Sequence, residues 1–273
     1  MSLYNNVAER MDFIQKLFLD AGIFAHNTAS LQELISLLEK QPPEYRSVAY
    51  EGASFELALT DLTRDGNLRV WKEFKTLSEK HPFHVDIGLG WAFAKAELTP
   101  MSYLQSVSQM QGSMVLDGIG YYYGLFKGRA TLKNKIMPAG LEEETRHGFD
   151  QGLGRRVWYM AKGKVREAVD LLESFPAARH PDLFRGIGIA CSYVGGNERT
   201  GLLELFDRSG EHREELESGI RLAAISRILS ETVTCDIDLA YQISNKSFND
   251  LEHSFADSTN KFHYLYKVGL DRD

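Results

Sequence analysis

Lys164 to Gly196 reads KVREAVDLLESFPAARHPDLFRGIGIACSYVGG, and this stretch decides the fold. Val165, Ala168, Val169, Leu172 and Phe175 recur at helical spacing, with Arg166, Glu167, Asp170 and Glu173 on the other face. That pattern predicts an amphipathic helix. Pro176 ends it, because an interior proline removes a backbone donor and clashes with the preceding turn. After Ala177-Ala178-Arg179-His180-Pro181, Asp182 is expected to cap a second helix through Val194, which Gly195-Gly196 stops. The unit reads as a helical hairpin.

Its Arg185-Gly186-Ile187-Gly188 run belongs to a series. The other members are Glu51-Gly52, Asp86-Ile87-Gly88-Leu89-Gly90, Asp117-Gly118-Ile119-Gly120, Gln151-Gly152-Leu153-Gly154 behind Asp150, and Glu217-Ser218-Gly219. Between first glycines the steps are 36, 30, 34, 34 and 33 residues, a period that belongs to stacked helix pairs. Leu68, Trp71, Phe74 and Leu77, then His81-Pro82, then a helix from Asp86 to Glu97 repeat the plan of the first hairpin, and residues 197–207 and 211–229 form one more pair. The expected fold is all-α: five or six helical hairpins in a superhelical or partly closed array. Residues 1–46 are expected as capping helices, 47–250 as the repeat domain and 251–273 as a tail.

A helix carrying Gly-x-Gly gives up about 1 kcal/mol per glycine relative to alanine. Residues two apart lie about 200° apart around the helix, so paired glycines thin it on opposite flanks. An inner helix with close neighbours on both sides needs that. A phosphate-binding glycine loop requires a preceding strand and different spacing, and Gly118-Ile119-Gly120-Tyr121-Tyr122-Tyr123-Gly124 has neither.

Composition narrows the function classes. A net charge of -7 and a pI near 5.7 argue against a nucleic-acid surface, which needs a concentrated basic face. Cys191 and Cys235 do not make a disulfide framework, and no His, Cys, Asp and Glu cluster has zinc spacing, so neither metal nor cofactor is expected. The first twenty residues include Glu9, Arg10, Asp12 and Lys16 and do not read as a secretory leader, and no apolar run is long enough to span a membrane. A cytoplasmic protein is expected, with no prediction of its oligomeric state.

Several stretches carry a resemblance together. They are Tyr50-Glu51-Gly52-Ala53, His81-Pro82 followed by Gly88-Leu89-Gly90-Trp91-Ala92, Asp117-Gly118-Ile119-Gly120, Phe149-Asp150-Gln151-Gly152-Leu153-Gly154-Arg155, Trp158, Phe175-Pro176-Ala177-Ala178-Arg179 and Asp182-Leu183 to Gly195-Gly196. As a set, over Tyr50 to Ser244, they resemble the UnbL-type family of unknown function, encoded beside enediyne polyketide synthases and related bacterial natural-product clusters. The resemblance implies a biosynthetic setting without a mechanism. Tyr122 stands where the family often has a histidine, and Cys235-Asp236 where it has a His-Thr pair, so roles resting on those histidines do not carry over.

Two constellations could carry chemistry. Trp91, Tyr121, Tyr122, Tyr123, Phe126, Trp158 and Tyr193 follow the repeat glycines, and with Arg155 they are the candidate substrate-binding residues: aromatic faces can hold an apolar chain and stabilise positive charge. As many of them could simply fill the core. Glu51, Asp86, Asp117 and Asp150, with Glu217, stand one or two residues before a repeat glycine, so stacking is expected to bring them to one rim. There they could act as general acids or bases, or cap helices, and Arg155, Arg156 and Arg185 in the middle of the series could neutralise them or hold an anionic carboxylate or phosphate. Asp117, one turn before three tyrosines, is the first choice for the acid. Asp236-Ile237-Asp238 resembles the protonating motif of helical terpene cyclases without its third acid, and the charged connection 131–148 could be a solvated loop or a lid. Two functions stay open: a cofactor-independent cyclase or isomerase of an apolar polyene or terpenoid, or a helical scaffold that binds a carrier protein or synthase. Its partner is accordingly an apolar small molecule or a carrier-bound intermediate.

Overall fold

The structure, a computed structural model, describes residues 6–244 and 251. Of the expected tail, 251–273, all but Leu251 lies outside the described residues. The helices are α1 (Val7–Asn27), α2 (Leu31–Glu39), α3 (Arg46–Arg64), α4 (Arg69–Leu77), α5 (Pro82–Ala96), α6 (Met101–Leu104), α7 (Gln109–Phe126), α8 (Arg146–Met160), α9 (Val165–Glu173), α10 (His180–Val194), α11 (Arg199–Arg208), α12 (Arg213–Leu229) and α13 (Cys235–Ile243). The fold is all-α among the described residues.

His81-Pro82 and His180-Pro181 open helices α5 and α10 instead of preceding them. Proline lacks the N–H that a first turn leaves unpaired, so the helix begins at this pair. Asp182 therefore lies inside the first turn of α10 and is not its cap.

Helices α1, α3, α5, α7, α8, α10 and α12 pack side by side in chain order, and α2, α4, α9 and α11 lie outside them. Within the row the first glycine of each pair faces the preceding helix and the second faces the following one. A Cβ on Gly118 would stand 2.0 Å from the Ile87 carbonyl of α5, and one on Gly120 would stand 1.9 Å from the Phe149 carbonyl of α8. Gly152 and Gly154 meet the Asp117 and Leu183 carbonyls, and Gly186 and Gly188 meet those of Gln151 and Leu216. The helices touch backbone to backbone on both flanks, a contact that only glycine permits. Helix α1, expected as a cap, joins the same row: Gly52 of α3 lies against the Phe18 carbonyl.

The row curls until its end meets its beginning. Arg227, 1% exposed, donates from Nη2 to Tyr193 O at 2.6 Å, and from Nη1 to Thr232 O at 3.1 Å and to Glu44 O. From the other side Arg10 Nη1 reaches Val194 O at 3.3 Å and Asp236 Oδ2 at 2.8 Å, while Tyr45 OH donates to Val194 O at 2.7 Å. These bonds occupy the carbonyls that the C-terminal end of α10 leaves without helical partners. The array is thus partly closed.

Gly152→Ala places a methyl group 1.9 Å from a backbone carbonyl and is expected to destabilise by about 1–3 kcal/mol. Gly201 in α11 has nothing within 4 Å of its Cβ position, so Gly201→Ala should stabilise by roughly 0.5–1 kcal/mol through helix propensity. Urea denaturation of both variants checks the pair; equal effects would contradict close packing in the inner row.

Candidate functional site

The inner helices enclose a cavity of about 380 Å³. Its walls follow one register. Trp91, Tyr121, Arg155, Ile189 and Leu222 each stand three residues after the first glycine of their helix, and Glu51, Ile87 and Asp117 stand one residue before it. Positions four apart share a helix face, so both sets point inward. Helix α1 adds Ile14, Phe18 and Leu19, and the ends of α10 and α12 add Tyr193, Val194 and Ser226.

That register separates the candidate acids. Glu51 and Asp117 line the cavity, whereas Asp86 and Asp150, one residue earlier relative to their glycines, are turned by about 100° toward the outer layer. Asp86 pairs with Lys75 of α4, and burial pushes its carboxyl up to about 6 against the pull of that lysine. Asp150 accepts from Arg179 Nε at 2.9 Å, with Arg146 Nε 3.6 Å away. Glu217 pairs with Arg213 within α12 at 3.1 Å. The expected single rim of acids does not form, because the two offsets point to different faces.

Asp117 is fully buried and holds the Arg155 guanidinium, and it accepts from Gln151 Nε2 at 2.8 Å. Burial pushes its carboxyl up, and Arg155 and Gln151 oppose that. Since arginine does not lose its proton in proteins, the buried Arg155 requires an anion in contact, and Asp117 is that anion. Glu51 has no such contact. Burial raises its carboxyl from 4.5 to about 7, Arg155 opposes, and the Asp117 charge raises it further. The buried Trp91 Nε1 makes no hydrogen bond of good geometry, yet its N–H still favours the ionised Glu51. Glu51 is therefore the cavity acid whose proton is exchangeable near neutral pH.

The aromatic candidates divide in the same way. Trp91 and Tyr121 face each other across the cavity wall with ring centroids 5.4 Å apart, and the Arg155 guanidinium lies 5.3 Å from the Tyr121 ring. Phe126, 60% exposed, stands at the mouth, and Tyr193 lines the far end. Tyr122 packs on Phe126, and Tyr123 on Phe149; neither lines the cavity. Trp158 is fully buried between the layers, also away from it. Asp236 accepts from Arg10 and from the Gly196 amide at 2.9 Å, at the seam outside the cavity. Residues 131–148 contribute nothing to the cavity lining.

His84 is a cavity residue that the sequence reading passed over, and Arg156, one of the three arginines expected among the acids, lines the cavity as well. Burial, followed by the Arg155 and other nearby positive charges, holds His84 well below its usual range, so it is neutral; its Nδ1 lies 3.4 Å from Ser226 Oγ. The spacing was a usable signal, since His84, Ile87 and Trp91 follow one another at the i, i+3, i+7 positions of one helix stripe. Phe83 and Met114 line both this cavity and a more polar one of about 550 Å³ that holds Lys75, Asp86 and Ser108. Among the described residues no group of His, Cys, Asp and Glu is arranged to hold a metal ion, and no helix is long and apolar enough to cross a membrane.

Fold and site together define an all-α repeat protein with an acid-bearing apolar cavity. Residues 3–261 match a family described as a protein of unknown function, DUF1702, and the chain belongs to that family. No curated protein and no solved structure matches it.

Because the folded chain holds the Glu51 proton more tightly than the unfolded chain, this group's contribution to stability falls as pH rises from about 4.5 through about 7. Glu51→Gln keeps the neutral shape. The variant should match the wild type in stability near pH 5 and exceed it near pH 8 by on the order of 2–3 kcal/mol, measured by chemical denaturation across that range.

Proposed function

We propose that this protein is a cofactor-independent isomerase or cyclase of an apolar polyene or terpenoid in bacterial natural-product biosynthesis. The observation that carries this reading is Glu51, a carboxyl poised near neutrality on the wall of an apolar, aromatic cavity. A group with that affinity both gives and takes back a proton, which suits protonating one carbon of a conjugated chain and then removing a proton from another, restoring the acid. The step is redox-neutral and consumes no second reactant. Trp91 and Tyr121 offer ring faces to the transient cation. Asp117 is assigned a different role from the acid expected of it: paired with Arg155, it fixes the field in which Glu51 titrates. The biosynthetic setting rests on the resemblance of the sequence motifs. A scaffold for a carrier protein or synthase fits an open groove better than a walled cavity.

Metabolite profiling of a producer strain tests the reading. Glu51→Gln should lower product by about 10²–10⁴-fold with the soluble protein retained. Tyr122→Phe, outside the cavity, should leave product within a few-fold. Wild-type output from the Glu51→Gln strain would remove Glu51 as the acid, and unchanged product after deletion of the gene would remove the enzyme reading for that pathway.

A further inference from the structure

The cavity mouth holds a cation, Arg156, that no carboxylate among the described residues neutralises. Arg155 and Arg156 are adjacent on α8, but only Arg155 is paired, inside, with Asp117. Among the described residues no carboxylate pairs with Arg156, and its Nε is buried without a hydrogen-bond partner. The placement is built into the helix contact. The Arg156 stem crosses α7 at Gly124, where a Cβ would stand 2.8 Å from Arg156 Cγ, and its charge is the strongest one acting on the Tyr121 phenol of the cavity wall. Around it the mouth is apolar: Leu19 is 64% exposed, Leu125 38% and Phe126 60%. Arginine is charged at every accessible pH and offers a planar fork of donors that matches a carboxylate.

An unpaired guanidinium set in an apolar rim above an apolar cavity has the polarity of an amphiphile in reverse. We infer that the ligand is a long-chain carboxylate, its hydrocarbon chain in the cavity and its carboxylate held at the mouth by Arg156. This rests on the reading of the cavity as an apolar-ligand site and names the class of ligand it takes. A single guanidinium balances a single negative charge, which favours a carboxylate over a phosphate. It also gives the chain a direction: the charged end stays at the α7–α8 end, and the carbons pass Tyr121 and Trp91 toward Glu51.

Fluorescence titration with cis-parinaric acid and with its methyl ester at pH 7.5 tests the inference on the wild-type protein. The acid should bind about tenfold more tightly than the ester, since the ester keeps the chain and loses the charge-assisted hydrogen bonds. Arg156→Gln should erase that preference while leaving ester affinity within about twofold, and Arg156→Lys should retain part of it. Equal affinity of acid and ester for the wild type, or a preference that survives in Arg156→Gln, would overturn the carboxylate assignment and leave the apolar cavity standing. Tighter displacement of the probe by dodecyl phosphate than by dodecanoate would likewise overturn it. If neither acid nor ester binds, both the inference and the apolar-ligand reading fail.

Discussion

Everything in this structure depends on glycine-to-carbonyl contact between neighbouring inner helices. Helices separated by ordinary side chains pack roughly 8–10 Å apart. Where Gly118 lies on the Ile87 carbonyl and Gly90 on that of Val115, no side chain intervenes and the axes come closer. The outer helices keep larger residues such as Trp71 and Phe74 on α4 and Leu172 on α9, so each repeat is narrower inside than outside. Wedges stacked in one direction curve. The curvature is what returns the ends of α10 and α12 to the start of α3 and turns a row of helices into a walled cavity.

The same contact fixes which side chains face inward. With the glycine flanks pinned against both neighbours, a helix cannot rotate, and the residues one before and three after the first glycine must point to the cavity. This explains how the repeat and its packing glycines were legible in the sequence while the site was legible only in part. Period and Gly-x-Gly spacing are local properties. Inward direction requires distinguishing Asp117 from Asp86 by a single-residue offset, and lumping them placed five acids on one rim that the helices divide between two layers. His84 was missed for a related reason: it stands four residues before its repeat glycine and becomes a cavity residue through the stripe it shares with Ile87, while the place of Arg156 at the mouth depends on the crossing at Gly124. The seam arginines, Arg10 and Arg227, join segments about 184 and 183 residues apart in the chain, a pairing no local pattern reveals.

Buried charge is handled differently at the seam and in the cavity. At the seam, Arg10 and Arg227 are buried on backbone carbonyls, with Asp236 as a full counter-ion for the first and the Tyr193 ring 4.1 Å from the second. The terminal nitrogens of these cations are held by carbonyls or a carboxylate, although the buried Nε of each has no hydrogen-bond partner, and they hold the closure. In the cavity one pair, Arg155 and Asp117, is complete, and one carboxyl, Glu51, is left over. A buried guanidinium cannot be neutralised by losing a proton, so it fixes the state of the acid in contact with it and lets the second acid titrate. The arrangement thus separates a permanent charge from an exchangeable proton within one polar cluster. Arg156, at the mouth, repeats the logic with no carboxylate partner among the described residues. The described residues hold the seam cations on backbone carbonyls and Arg155 on Asp117, and set no such partner on Arg156 at the apolar entrance, which leaves that partner to be brought by what enters.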